Sequence, residues 1–167
     1  MGDDTFALES PAFSAGSSIP AIHTADGLNL SPPLRWRGEP DNTLSYVLVL
    51  EDPDAPTGTW IHWLLLNIPA EIHNLPTGVP RTPALSNGAL HGLCWGVNRF
   101  HRLGYQGPQP PDGSIHHYRF VLRALDNRLS LPSGCTLEQV RQASSGHVQA
   151  EARLIGLYAR EPASMVR

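Results

Sequence analysis

The apolar residues of the chain gather in three nearly continuous runs, at residues 43–51, 60–68 and 116–125. Each run has the length of a strand, and aliphatic, β-branched and aromatic side chains dominate it. The first two runs are apolar on both faces, which predicts strands in the middle of the fold. Pro53 and Pro56 end the first predicted strand, because a proline has no N–H to donate to a sheet ladder.

Weaker patterns predict the remaining elements. Residues 147–159 alternate between apolar and polar positions and predict a last strand, and residues 89–95 predict a short strand after a tight turn at 87–88. Residues 136–145 predict one helix, which Thr136 caps and which ends before a glycine. The helix presents Leu137, Val140 and Ala143 on one side, and the last strand presents Ala150, Ala152, Leu154, Gly156 and Tyr158 on one face.

Prolines and glycines punctuate the rest of the chain. The 16 prolines and 15 glycines follow no period, and residues 1–42 and 69–88 are rich in turns. Residues 98–113 form a polar loop, and a loop of that length inside a domain is often functional. The sequence has no internal repeat, so residues 1–167 predict a single, mainly β domain. We expect about five antiparallel strands and one or two short peripheral helices, packed as a sandwich.

The charge and cysteine content exclude several partners and compartments. The net charge is −3 and no run of basic residues exceeds two, so a nucleic-acid partner is not expected. No stretch approaches about 18 consecutive apolar residues, which argues against a membrane span. The first four residues lack the basic and apolar regions of a secretory signal, and Cys94 and Cys135 are too few for a disulfide framework. A reducing, cytoplasmic compartment is expected, and the alternative of a processed form from elsewhere stays open.

Two polar features occupy the predicted hairpin between the first two runs. The acids of residues 52–56 lie where the first strand leaves the sheet, which suits either simple turn formation or a functional acid. Trp60 and His62 share a face of the next strand by the period of two, and Leu64 and Leu66 continue that face. The hairpin brings His62 close to the acidic turn. A lone histidine in an apolar strand is more often a hydrogen-bonded core residue than a ligand group, so both interpretations stay open.

A third polar feature is the stiff, proline-rich loop at residues 107–111. After it, His116 and Tyr118 share one face of the predicted strand, and His117 points to the other. The histidines suggest a metal site, but zinc ligands usually come as closely spaced His or Cys pairs, and here the partner is a tyrosine. A small anion suits the residue types better, because imidazoles, a phenol hydroxyl and loop amides all supply donors.

Asp52 and Trp60 widen the range of ligands that these residues suit. A carboxylate beside a histidine favours the imidazolium, which strengthens binding to phosphate. The same carboxylate suits a ligand ammonium, and Trp60 offers a cation–π wall. A zwitterionic headgroup therefore fits as well as a simple anion.

Six motifs of the sequence occur together in a known family. They include the Asp-Pro-Asp-Ala-Pro run followed by His-x-Tyr, and they span residues 28–160 in the family's order. On these motifs the chain resembles the phosphatidylethanolamine-binding proteins, also called Raf kinase inhibitor-like proteins, and most closely their short bacterial branch. The motifs are residues 31–36, 52–56, 60–63, 104–111, 116–118 and 156–160.

The resemblance implies a β-sandwich with Greek-key connections and an anion pocket at one end of the large sheet. It also implies that the pocket takes phosphate, similar small anions or phosphoethanolamine headgroups, that the peptide before Pro56 is cis, and that the protein is a homodimer. Two positions depart from the family pattern, since His117 replaces an arginine of a salt bridge and Gln109 replaces a cysteine. The family's pocket positions fall on Asp52, Ala55, Pro56, Trp60, His62, Gly107, Pro110, Pro111, His116 and Tyr118.

The leading hypothesis is a non-enzymatic, ligand-sensing or regulatory module that binds a phosphorylated group and needs no cofactor or metal. Two alternatives come from other classes. One is a protease or kinase inhibitor that acts on a protein partner through its surface, as some family members do. The other is a hydrolase or lyase with His62 and His116 as acid and base, although the sequence shows no nucleophile elbow and no Gly-rich phosphate-transfer loop.

Overall fold

The computed structural model of the protein describes residues 5–111 and 113–160. The prediction about the first four residues therefore lies outside the described part of the chain. A 3-10 turn at Ala21–His23 joins the first two strands. The elements are β1 (Ala7–Glu9), β2 (Leu34–Arg37), β3 (Ser45–Asp52), β4 (Trp60–Pro69), β5 (Asn74–Leu75), β6 (Leu90–His91), β7 (Leu93–Cys94), β8 (Arg102–Leu103), β9 (Ile115–Leu125), α1 (Leu137–Ser144) and β10 (Val148–Ala159).

The large sheet has five antiparallel strands in the order β10-β9-β3-β4-β6. Within it, β9-β3-β4-β6 is a Greek-key order, in which a long connection brings the fourth strand back beside the first. A three-stranded sheet, β1-β2-β5, and the pair β7-β8 complete the architecture. The prediction of a mainly β, antiparallel Greek-key sandwich is confirmed. Within the described ranges, no helix combines the length and the apolar character that a membrane crossing requires.

The large sheet is buried on both faces along β3 and most of β4. On one face, Leu48 and Phe120 pack against Trp36 of the β1-β2-β5 sheet. On the other face, a second cluster joins Val49 to Val140 of α1. Burial on both sides explains why the sequences of β3 and β4 read as continuous apolar runs. The second cluster also contains Cys94 and Cys135, which are both buried, free thiols.

The strongest sequence patterns correspond to real elements. The three apolar runs are β3, β4 and β9, and the alternating segment near the end of the sequence is β10. The predicted cap of α1 is also present. Thr136 Oγ1 accepts a hydrogen bond from the Gln139 amide (3.1 Å), and Gln139 Oε1 accepts one from the Thr136 amide (2.9 Å). This reciprocal capping box fixes the start of the helix.

The prediction that Leu64 and Leu66 continue the face of Trp60 and His62 is wrong. In the β3–β4 ladder Leu50 pairs with Trp63, but the next residue of β3 pairs with Ile61, so His62 is an extra residue on β4. This β-bulge shifts the alternation by one position. His62 and Trp63 therefore both lie on the inner face, whereas Leu64 and Leu66 belong to the core cluster on the other face.

The sequence predicted one short strand over residues 89–95, and this prediction is wrong. The chain leaves the large sheet at Gly92 and forms two short strands instead. β6 pairs with β4, whereas β7 pairs with β8. Gly92 donates its N–H to the carbonyl of Leu64 (3.1 Å), and a Cβ at this position would lie 2.5 Å from the Leu64 side chain. The short strands β1, β2, β5 and β8 lie in segments that the sequence predicted as turns and loops. Each has four residues or fewer, too few for an alternating pattern to identify.

A matched pair of leucines tests the packing of the large sheet. Leu122 is fully buried, whereas Leu44 is 50 % exposed. Replacing Leu122 by Ala should lower the free energy of unfolding by about 2–5 kcal/mol, because it removes core contacts and leaves a cavity. Leu44→Ala should change it by less than about 0.5 kcal/mol. Urea denaturation followed by tryptophan fluorescence measures both, and equal losses would contradict this arrangement.

His91 is a buried core histidine that is fully hydrogen-bonded in its neutral form. Its Nδ1–H donates to the Thr82 carbonyl (2.6 Å), and its Nε2 accepts from the Trp63 indole (3.0 Å). Burial lowers the pKa of His91, because the charged ring would lose its hydration. Protonation would also place a second donor against the indole N–H. The folded protein therefore keeps this ring neutral where the unfolded chain takes up a proton.

Stability should fall as the pH drops below about 6.5, the ordinary pKa of histidine. The sign follows because the unfolded state binds more protons there than the folded state. Each such histidine contributes a slope of up to about 1.4 kcal/mol per pH unit, and His62, whose pKa burial also lowers, adds to it. His91→Gln keeps an acceptor for Trp63 but does not titrate. Urea denaturation from neutral to mildly acidic pH should give a shallower slope for this variant, and parallel slopes would refute the prediction.

Candidate ligand-binding site

A cavity of about 430 Å³ opens at one end of the large sheet. Asp52 ends β3 and pairs with Trp60, which begins β4, and His116 lies near the start of β9, so antiparallel pairing brings three strand ends together. The structure brings nine of the ten predicted site residues to this cavity. They are Asp52, Ala55, Pro56, Trp60, His62, Pro110, Pro111, His116 and Tyr118. Four further residues line it, namely Thr57, Trp95, Gln109 and Arg160.

Gly107, the tenth predicted residue, does not line the cavity. Its N–H donates to Asn29 Oδ1 (2.8 Å), and a Cβ would lie 2.5 Å from both that oxygen and the His23 carbonyl. A side chain at Gly107 would therefore push the loop away from the segment around Asn29. The glycine is needed for this close approach of two backbones, and it supports the wall of the cavity from behind.

Asp52 fixes the orientation of His116. The carboxylate accepts from His116 Nδ1 at 2.6 Å through Oδ2 and from the Asp54 amide at 2.8 Å through Oδ1. Both side chains are largely buried, with 5 % of Asp52 and 8 % of His116 exposed. Since Nδ1 carries the proton donated to Asp52, Nε2 is the ring nitrogen left to meet a ligand.

The turn at residues 52–58 does not contain the cis peptide that the family resemblance implied. All peptide bonds of the described residues are trans. The carbonyl of Ala55 accepts from the Gly58 amide (3.1 Å), which places Pro56 at the second position of a four-residue turn. A trans bond suits proline at this position, whereas a cis proline belongs one position later. Gly58 has φ of +125°, which a residue with a Cβ rarely adopts.

His62 joins β4 to the loop at residues 104–111 through two hydrogen bonds to one residue. Its Nδ1 donates to the Gln106 carbonyl (2.6 Å), and the Gln106 amide donates back to the His62 carbonyl (3.0 Å). Burial lowers the pKa of His62, because it outweighs the hydrogen bonds and the Asp52 charge that favour protonation. The ring is therefore neutral near pH 7, with Nε2 as a hydrogen-bond acceptor.

Two buried donors among the cavity residues lack a partner. Neither Trp60 Nε1 nor the Tyr118 hydroxyl has a hydrogen-bond partner within the described part of the chain. Burial raises the pKa of Tyr118 far above its ordinary value, and the nearby charge of Asp52 acts in the same direction. The Gln109 backbone approaches the hydroxyl closely enough to oppose this rise weakly. Tyr118 is therefore a neutral phenol with an O–H to donate.

Trp95 is a cavity residue that sequence reasoning missed. Its φ is +73°, a strained value for a residue with a bulky side chain. The backbone is held there by two hydrogen bonds, from Trp95 N to the Ile61 carbonyl (2.7 Å) and from Ile61 N to the Gly96 carbonyl (2.8 Å). In this position the indole lies edge-on to Trp60 (5.3 Å between centroids) and to His62 (5.4 Å).

Arg160 brings a positive charge to the cavity and was also missed as a site residue. It forms an ion pair with Asp26 (2.8 Å), and the Tyr158 hydroxyl donates to the same carboxylate (2.6 Å). Burial raises the pKa of Asp26, but these hydrogen bonds and the guanidinium charge outweigh it, so the net shift is downward. The only sequence signal was the motif at residues 156–160, which was used for the resemblance and not for the site.

His117 lies outside the cavity, as the period of two predicted. Its backbone N–H (2.7 Å) and its Nδ1 (2.8 Å) both contact Asp54 Oδ2. The backbone hydrogen bond is the largest cause of a lowered pKa at Asp54, followed by the side-chain bond. The histidine thus contacts a carboxylate in the acidic turn. Among the described residues, no three or more His, Cys, Asp or Glu side chains form a group suited to a metal ion.

Comparison with known proteins agrees with the fold and with the sequence motifs. Residues 9–159 match the family model described as "Phosphatidylethanolamine-binding protein". The chain is 44 % identical over 153 residues to a UPF0098 protein of Methanothermobacter thermautotrophicus, which covers 92 % of this chain and 98 % of the relative. It is 40 % identical over 154 residues to a UPF0098 protein of Aquifex aeolicus, covering 91 % of this chain and 87 % of the relative.

Two crystal structures share the architecture. One is a phosphatidylethanolamine-binding protein homologue from Chlamydia trachomatis, with a TM-score of 0.84 and 36 % identity over 95 % of this chain and all of the other (100 %). The second is E. coli YbcL, described as a member of the mammalian family, with a TM-score of 0.82 and 30 % identity over 93 % of this chain and 99 % of the other. The resemblance found in the sequence is thereby confirmed, and the chain belongs to the phosphatidylethanolamine-binding protein family.

Proposed function

We propose that this protein is a non-enzymatic module that binds a small, phosphate-bearing anion in the cavity at the end of the large sheet. The observation that carries the proposal is the pair of unpartnered, buried donors, Trp60 Nε1 and the Tyr118 hydroxyl, on side chains that line the cavity. A buried donor without a partner costs about 1–3 kcal/mol. Ligand oxygens that accept from these donors would remove that cost, and oxygen acceptors surround the phosphorus of a phosphate group.

Two further groups favour an anion over a neutral ligand. His116 has only Nε2 left for a ligand, because Asp52 holds the other ring nitrogen. Arg160 adds a guanidinium to the lining and pairs with Asp26, whose carboxylate also accepts from the Tyr158 hydroxyl. A guanidinium forms charge-assisted hydrogen bonds, which are stronger than neutral ones. Asp52 itself already accepts two hydrogen bonds, which supports a role in orienting His116.

The neutral His62 favours an anion that still carries a proton. Its Nδ1–H is used by Gln106, so Nε2 offers a lone pair. A monoprotonated phosphate or phosphomonoester can donate its P–OH to this nitrogen and accept from the other groups. An ammonium group at the same nitrogen would extend the proposal to a phosphoethanolamine-like zwitterion.

Binding is favoured over turnover because the cavity offers no obvious nucleophile. The lining contains the hydroxyls of Thr57 and Tyr118, and no serine or cysteine lines it among the described residues. Tyr118 keeps its proton, since burial raises its pKa. Hydrolysis of p-nitrophenyl phosphate that disappears in His62→Ala would support the hydrolase alternative instead.

We further propose that residues 1–167 act as one domain in the cytoplasm. The two buried thiols, Cys94 and Cys135, are free, which suits a reducing compartment. The homodimer that the family resemblance implied stays a prediction.

Titration calorimetry with inorganic phosphate tests the donor set. His116→Ala should weaken binding about tenfold or more, because it removes a ring nitrogen that can hydrogen-bond to the phosphate. Tyr118→Phe should weaken it by about two- to tenfold, because it deletes only the hydroxyl. His147→Ala is a matched control, since His147 precedes β10 and pairs with Asp126 at the opposite end of the sheet.

Equal affinities in the wild type and both cavity variants would overturn the assignment of the site. The alternative of a surface-acting protease or kinase inhibitor stays a prediction, and the double variant Asp52→Asn/His116→Ala separates it from the cavity. Inhibition of a partner enzyme that survives this double substitution would favour the surface.

Discrimination between phosphate and sulfate tests the role of His62. Near pH 6, inorganic phosphate retains a proton, whereas sulfate has none to donate to the neutral His62 Nε2. Phosphate should therefore bind at least about tenfold more tightly than sulfate. A bound sulfate would place an oxygen acceptor against His62 Nε2, which is also an acceptor. Sulfate binding as tight as phosphate binding near pH 6 would contradict this role.

A further inference from the structure

A second groove, of about 400 Å³, adjoins the proposed phosphate cavity. Thr57, Trp60 and Trp95 line both spaces, so the two indoles form a common wall. The groove continues along the connection between β7 and β8, where Arg99 and His101 line it. The two spaces therefore adjoin at Thr57, Trp60 and Trp95.

The groove carries basic groups that no carboxylate neutralises. No Asp or Glu lines it, and within the described ranges Arg99 and Arg102 take part in no ion pair. The Arg102 guanidinium lies 4.9 Å from the centre of the Trp95 ring, and its Nη1 donates to Gln106 Oε1 at 3.3 Å. By contrast, Arg119 and Arg153 each pair with an acid. This local excess of positive charge complements a negatively charged group.

Trp95, which belongs to the wall shared by the cavity and the groove, has a strained backbone. Trp95 keeps a φ of +73°, and Gly96 beside it has φ of +157°. The strained backbone is pinned to Ile61 of β4 by hydrogen bonds on both sides. Strain of this kind persists only where surrounding contacts enforce it, and it is concentrated at ligand-binding sites. It holds the Trp95 indole against Trp60, so that both rings bound both spaces.

We propose that this groove is a second subsite, which binds a second anionic group of the ligand whose phosphate occupies the cavity. The inference rests on the proposed function and names its ligand class: a phosphomonoester that carries a carboxylate or another phosphate beyond a short apolar spacer. The spacer packs against Trp60 and Trp95, whose indole surfaces suit apolar contact. Arg99 and His101 meet the distal anion, and Arg102 adds positive charge behind Trp95.

Titration calorimetry with two matched ligand series tests the subsite on the full chain. One series contains n-alkyl phosphates and the other contains ω-carboxyalkyl phosphates, with spacers of about two to six methylene groups. At the best spacer length, the carboxylate should strengthen binding about two- to fivefold, the range of an exposed ion pair. Arg99→Gln should abolish this gain and leave the affinity for methyl phosphate unchanged. Arg99 is exposed, so the variant should fold normally.

Arg128→Gln is the charge-matched control, because Arg128 is exposed and follows β9 at the opposite end of the sheet. Three outcomes would overturn the second subsite alone. The gain in affinity could persist in Arg99→Gln, or it could disappear equally in Arg128→Gln. Methyl phosphate could also bind while no spacer length gives any gain. Failure of inorganic phosphate and methyl phosphate to bind the wild type overturns the proposed function and the subsite with it.

Discussion

Two hydrogen bonds between His62 and Gln106 hold the candidate site together. Because one bond uses the His62 ring (2.6 Å) and the other its carbonyl (3.0 Å), they fix both the position and the orientation of the loop relative to β4. The loop then carries Gln109, Pro110 and Pro111 to the cavity. The same contact sets the tautomer of the ring. Because burial keeps the His62 ring neutral, these two hydrogen bonds do not require a buried charge, and Nε2 remains an acceptor.

The sequence was sufficient for the elements whose pattern is long enough to be diagnostic. β3, β4, β9 and β10 each have eight residues or more, and α1 carries a complete capping box. Strands of two to four residues, such as β2 and β5, show no period of their own, because packing against the large sheet defines them. The bulge at His62 was also invisible. A local pattern cannot show that one strand contributes two residues opposite one residue of its neighbour.

For the candidate site, the sequence located residues on regular strands and missed those placed by tertiary contacts. His116 and Tyr118 follow directly from the alternation of β9, and the hairpin pairing of Asp52 with Trp60 follows from the turn. Trp95 requires a positive φ and a bridge to β4, which no propensity predicts. Arg160 reaches the site through Asp26, more than a hundred positions away in the sequence (134), so only the folded chain reveals the pair.

The arrangement of donors also explains how a cavity with two buried, unpaired polar groups can persist in a stable protein. Trp60 Nε1 and the Tyr118 hydroxyl together cost a few kcal/mol, about 1–3 kcal/mol each. Tyr118 belongs to the core cluster on the inner face of the large sheet, and Trp60 packs edge-on against Trp95, so these contacts hold both side chains in place. In the proposed function, a ligand oxygen that accepts from these donors would remove this cost, and that gain would favour binding.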